Sequence, residues 1–223
     1  MGELSIFCDE SGMQEGSSRF YLVTLVFHNQ ADDLEAALDS YRLSLARRGL
    51  PDIPFHATPL KRGHDAYREM DLEARKRMFV SFGVFVQRLP VRYATFSYKS
   101  REFGNADRLR ALLKRDLVLF LSDHLEYFQS FETVKVYYDN GQPAVAAALR
   151  DAIGFMLAKD AYVYRDANYR AFCLAQVADY LCDVELSALK YESHTDTATD
   201  VRFFGGIGAF KRNYLKQARR KRL

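Results

Sequence analysis

The chain has 223 residues, 48% of them hydrophobic, and a formal charge of +3, which suits a single domain (1–223) with a sizeable core. It has neither an apolar run of membrane-spanning length nor a basic-then-apolar leader, so a cytoplasmic protein without a membrane partner is expected. Cys8, Cys173 and Cys182 form no CxxC spacing, which argues against a structural zinc site or a disulfide framework.

The first element, LSIFCD (4–9), reads as a strand with Leu4, Ile6 and Cys8 on one face and Phe7 and Asp9 on the other. Both faces are apolar until Asp9, which therefore stands at the rim of a core. A carboxylate there needs a hydrogen-bond partner, a cation or a shifted pKa. After a Gly/Ser turn, RFYLVTLVFH (19–28) is a second strand, and Leu34, Leu38, Tyr41 and Leu45 mark a helix over 31–48 that stops at Gly49. LPDIPFHATPLKRGHD (50–65) is proline-rich and irregular and carries His56 and His64. Such loops on a rigid scaffold often hold function.

Helical spacing resumes over 70–87, so residues 29–89 form a helical insertion ahead of a third strand, VRYATFSYK (91–99). A long helix (105–128), a fourth strand (TVKVYYD, 133–139), a helix (143–158) and a short strand (161–166) follow. CLAQVADYLCDVELSALK (173–190) is strongly helical, and glycines 205, 206 and 208 precede a last helix at 209–221. Strands adjacent in sequence suggest a hairpin and strands separated by helices suggest parallel crossovers. Together they give an α/β fold: a mixed β-sheet flanked by helices.

Charge is unevenly placed. From residue 201 onward stand Arg202, Lys211, Arg212, Lys216, Arg219, Arg220, Lys221 and Arg222 with no acidic residue, whereas residues 1–200 hold 24 basic against 29 acidic. A basic C-terminal helix or tail (201–223) suits a polyanion such as nucleic acid, while carboxylates in the body hold a metal. The plainer reading is a solvated, frayed helix end.

Asp9 and Asp139 occupy matched positions, each ending an interior strand and each followed by turn residues. Open α/β sheets place their sites at strand ends, and two strands lying parallel would bring these carboxylates together. Magnesium and manganese favour such oxygen ligands. On the 173–190 helix, Gln176, Asp179 and Asp183 lie off the apolar stripe of Leu174, Val177, Leu181 and Val184, which by the helical wheel alone describes a solvated face.

FCDESG, the FH at 55–56, VYYDNG and AQVADYL resemble, in order and spacing over about residues 4–185, the motif series of the bacterial family catalogued as domain of unknown function 3800. That resemblance implies a ribonuclease H-like fold, in which Asp9, Asp139 and Asp179 would hold divalent metal ions for phosphodiester cleavage. It makes Glu10 and Asp183 auxiliary ligands or supporting groups, and gives His56 a part in orienting water, substrate or leaving group. The second strand lacks the acidic residue that ribonuclease H itself contributes from its first helix, and the insertion is longer than that enzyme's hairpin. Specificity for RNA–DNA hybrids is therefore not implied.

The expectation is thus a Mg²⁺- or Mn²⁺-dependent nuclease acting on RNA or DNA. Its rival is a non-catalytic nucleic-acid-binding module of the phage-defence or toxin type on the same fold. A haloacid-dehalogenase-type phosphatase is disfavoured, because the residue two positions after Asp9 is Ser11 rather than Asp.

Overall fold

The computed structural model describes residues 2–12, 19–139, 141–159 and 173–223, together with the backbone of 161–164. Its centre is a five-stranded sheet in the order β3-β2-β1-β4-β5, made of β1 (Gly2–Ser11), β2 (Phe20–Asn29), β3 (Val91–Lys99), β4 (Phe131–Tyr137) and β5 (Ala161–Tyr164). β2 runs antiparallel to both β1 and β3, whereas β4 pairs parallel with β1 and β5 parallel with β4. The helices between β2 and β3 were expected to make a parallel crossover. Instead α1 (Glu35–Arg47), α2 (Ala57–Arg62) and α3 (Leu72–Arg88) return the chain to the end of the sheet it left, so β3 pairs antiparallel, as in a greatly lengthened hairpin.

Local chemistry sets the element boundaries. Asp71 caps α3 by accepting from the Ala74 N–H at 2.7 Å, and Asn105 caps α4 (Ala106–Asp123) by accepting from the Arg108 N–H at 2.9 Å. The helix expected at 105–128 is broken at His124, after which α5 (Leu125–Gln129) leads into β4. Pro143 opens α6 (Pro143–Leu157).

The alternation along β1 sorts two cores. Leu4, Ile6 and Cys8 face α4 and α6 among Leu113, Leu117, Leu149 and Ile153. Phe7 faces the other way, into a cluster with Phe55, Phe82, Val177 and Leu181. Across that second face lies α7 (Cys173–Glu192), which rests on β1 and β2 and is covered from outside by α2 and the turn Lys211–Leu215. Sandwiched in this way, the helix has no solvated side. Gln176, Asp179 and Asp183 are buried at 9%, 8% and 4% exposure, contrary to the wheel reading.

The C-terminal region does not fray. α8 (Ala198–Phe204), α9 (Ile207–Phe210), the widened turn Lys211–Leu215 and α10 (Lys216–Arg219) replace the single helix expected at 209–221. The Tyr93 N–H donates to the Lys221 carbonyl at 3.0 Å, and the Leu223 N–H donates to the Tyr93 carbonyl at 2.9 Å, closing part of the exposed edge of β3. No helix among the described residues is long and apolar enough to cross a membrane.

Candidate active site

The last parallel pair between β1 and β4 is Phe7 with Tyr137, whose rings stack at 4.7 Å. Two residues beyond it on each chain stand Asp9 and Asp139. The strands were expected to end at these residues. β1 runs on to Ser11 against β2, and β4 stops at Tyr137, so Asp139 lies in the turn that follows. Both carboxylates nevertheless occupy the C-terminal end of adjacent parallel strands. α7 carries Asp179 over the same end, and a cavity of about 390 Å³ there is lined by Asp9, Asp139, Asp179, His56, Ser11 and Thr58, among others.

The irregular FH segment reaches this cavity because α7 holds its backbone. The Phe55 N–H donates to Gln176 Oε1 and the Ala57 N–H donates to Asp179 Oδ2, both at 2.8 Å. Between them the His56 N–H donates to the Tyr67 hydroxyl at 2.9 Å, and that hydroxyl donates to the Pro54 carbonyl at 2.8 Å. The exposed His56 imidazole is thereby presented at the cavity wall from the start of α2.

Burial pushes the Asp9 carboxyl well above its ordinary range, and the negative charge of Asp179 pushes it further. A backbone hydrogen bond from Glu10 offsets part of this, while the charges of Glu10 and Asp183 add to it. Asp183 receives the Lys61 ammonium on Oδ1 at 2.6 Å, leaving its buried Oδ2 without a hydrogen-bond partner among the described residues. Lys61 also lies 3.6 Å from Asp200, so one buried cation is shared by two carboxylates. Among the described residues no three His, Cys, Asp or Glu side chains converge closely enough to grip an ion as they stand. The aspartates instead line one cavity without closing on a common point.

Glu10 also lines this cavity, with one of its carboxylate oxygens engaged by tyrosines. Its Oε2 accepts hydrogen bonds from the hydroxyls of Tyr21 and Tyr138, in the core on the α4/α6 side. Burial and the nearby Glu10 charge drive the Tyr21 phenol far upward, and burial followed by Cys8 and Glu10 does the same for Tyr138, so both remain donors. The ring of Tyr138 lies where a Cβ on Gly141 would sit, 1.9 Å away, which accounts for the glycine in YYDNG. Gly12 closes the strand end with φ of 102°, and a Cβ there would fall 2.0 Å from the Phe20 carbonyl oxygen. The Cys8 thiol, on the α4/α6 face of β1, is pushed well up by burial and then by Glu10 and Asp9, which keeps it a poor nucleophile.

The eight C-terminal basic residues do not act as one cluster. Arg219 makes two hydrogen bonds to Glu185, at 2.8 and 3.1 Å, and Lys221 donates to the Leu89 carbonyl at 2.6 Å. Lys211, Arg212, Lys216, Arg220 and Arg222 are exposed away from the carboxylate cavity, and Arg202 lines a separate groove. Sequence reasoning overlooked Lys61, because α2 is too short for its periodicity to show. It also passed over the bond from Gln176 to the FH loop, for which the spacing of one helical turn from Asp179 was the available signal. No protein-family model, no curated protein and no solved structure matches the chain.

Proposed function

We propose that this chain is a divalent-metal-dependent nuclease with a ribonuclease H-like arrangement, hydrolysing phosphodiester bonds of RNA or DNA. The observation that carries this reading is the meeting of Asp9, Asp139, Asp179 and His56, from four separate segments, on one cavity at the carboxyl end of β1 and β4. The donor set fits Mg²⁺ or Mn²⁺: all three carboxylates are hard oxygen ligands, and their crowding is of the kind a cation relieves. Asp183, one turn beyond Asp179 on α7, keeps a buried Oδ2 without a hydrogen-bond partner among the described residues, a further oxygen of the same kind near the site. When bound, the metal would lower the pKa of an attacking water and neutralise charge building on the phosphate.

The chain's own residues supply the rest. Asp9, Asp139 and Asp179 would hold the ion, and the Ala57 N–H, donating to Oδ2 of Asp179, fixes that carboxylate's orientation. His56, placed by its neighbours' hydrogen bonds to α7, would orient the water or protonate the leaving oxygen. Lys61 keeps Asp183 and Asp200 from adding further uncompensated negative charge beside an anionic substrate.

Incubation of labelled single- and double-stranded RNA and DNA with Mg²⁺, Mn²⁺ or EDTA tests the reading. Metal-dependent cleavage is expected, falling more than about 100-fold in Asp9→Asn and Asp139→Asn, beyond the loss typical of a residue outside the ligand set. Tight binding without cleavage under every metal condition would overturn it in favour of a non-catalytic binding module.

A further inference from the structure

Beside the carboxylate cavity runs a larger groove of about 950 Å³, and Ser11 and Thr58 line both. Its charge is the reverse of the cavity's. The acidic residues on its wall, Asp183 and Asp200, are each paired, the first with Lys61 at 2.6 Å and the second with Lys61 and Lys190 at 3.6 Å. Two ammonium groups thus cancel two carboxylates. Arg19, Arg62, Arg75 and Arg202 remain, with His64 among them.

These arginines are not equivalent. Arg75 donates to the carbonyls of Leu60 and Lys61 at the end of α2 and is a structural cap. Arg19, Arg62 and Arg202 are exposed, and none has a hydrogen-bond or ion-pair partner for its side chain among the described residues. They come from the start of β2, the end of α2 and α8, so the fold gathers three unspent guanidinium groups along one wall. A planar guanidinium matches phosphate oxygens with paired N–H groups and stays charged at any working pH. The cavity, lined by aspartates, would repel the same ligand unless a cation intervened.

We propose that this groove holds the phosphodiester backbone of a nucleic-acid strand, with Arg19, Arg62 and Arg202 as its phosphate contacts, and delivers the strand to the carboxylate cavity. The delivery step rests on the hydrolytic reading above; the binding step does not. This places the polyanion on the insertion side of the sheet, away from the C-terminal residues 211–222.

Fluorescence anisotropy in EDTA across a salt series tests it, using fluorescein-labelled oligothymidylate and a duplex of the same length. Replacing Arg19, Arg62 and Arg202 together by alanine should weaken binding about tenfold or more. It should also flatten the slope of log affinity against log salt by about 2 for the single strand, as expected when three phosphate contacts are lost. Lys211→Ala, Arg212→Ala and Lys216→Ala combined should bind as wild type does. Relative affinity for the two probes then names the form of strand preferred. The groove is overturned if wild type binds neither probe, if the triple arginine variant binds with unchanged affinity and slope, or if the C-terminal variant loses as much. Hydrolysis is read separately on a small chromogenic phosphodiester: wild-type binding of the strand with no hydrolysis in Mn²⁺ would sink the nuclease reading and leave the groove standing.

Discussion

Asp9 and Glu10 are consecutive carboxylates with opposite fates, and the pleat of β1 is the reason. Both line the cavity, but Asp9 faces α7, whereas Oε2 of Glu10 accepts the hydroxyls of Tyr21 and Tyr138 on the α4/α6 side. Hydrogen bonds to a charged acceptor contribute about 1.5–3 kcal/mol. Glu10→Gln keeps an acceptor but loses the charge, so urea unfolding should show destabilisation of about 1–3 kcal/mol, while cleavage by the folded variant stays within about tenfold of wild type. A loss of cleavage comparable to that of Asp9→Asn, with stability intact, would instead put Glu10 among the metal ligands. Lys61 shows how burial decides a residue's work. Its ammonium is 5.3 Å from the centre of the Phe204 ring and in contact with two carboxylates, a desolvated setting that only such pairing makes tolerable.

At the scale of elements, α7 is both wall and clamp. Gln176 and Asp179, one turn apart, take the amides of Phe55 and Ala57 and so tie a proline-rich loop to a rigid helix. In Gln176→Ala the buried Phe55 N–H loses its acceptor, and hydrogen exchange should show that amide deprotected selectively, with amides of β1 and β2 unchanged. Uniform deprotection would mean that Gln176 supports the whole fold instead. α8 offers a pH test. Burial would raise the Asp200 carboxyl, yet Lys61, the Thr197 backbone N–H and Lys190 outweigh it and hold the group below its ordinary value. A lowered folded pKa means stabilisation that is complete above the unfolded value of about 3.9 and lost as pH falls through the folded one. The stability gap between wild type and Asp200→Asn should therefore be constant above about pH 5 and narrow below pH 4, read from urea midpoints.

For the whole molecule, the two faces of the sheet have separate duties. α4 and α6 bury one face, while α7, the insertion and the C-terminal segment build the cavity and groove on the other. An ion that binds only the folded chain stabilises it by mass action, about 2.7 kcal/mol at a concentration 100 times Kd. For a chain of this size that is a rise in Tm of roughly 5–10 °C. Mn²⁺ should give such a shift in scanning fluorimetry, EDTA should abolish it, and Asp9→Asn should be indifferent to both. An equal shift in Asp9→Asn would place the ion elsewhere.

Periodicity and turn chemistry, which depend only on near neighbours, made the strands, most helices and the matched positions of Asp9 and Asp139 readable from the residue order alone. The antiparallel course of β3 was not readable, because strand direction depends on which end of the sheet three intervening helices reach. Nor was the character of α7: a helical wheel records one apolar stripe, and only the layers stacked on both sides turned its polar stripe into a buried one. The C-terminal charges look alike in one dimension. Contact with Glu185 and the Leu89 carbonyl separates those engaged in holding the fold, Arg219 and Lys221, from Arg202, which tertiary structure sets beside Arg19 and Arg62. Local pattern thus supplied Asp9 and Asp139, while only long-range contacts buried Asp179 beside them and decided which cations accompany the carboxylates, since ion pairing falls with distance in space and takes no account of separation along the chain.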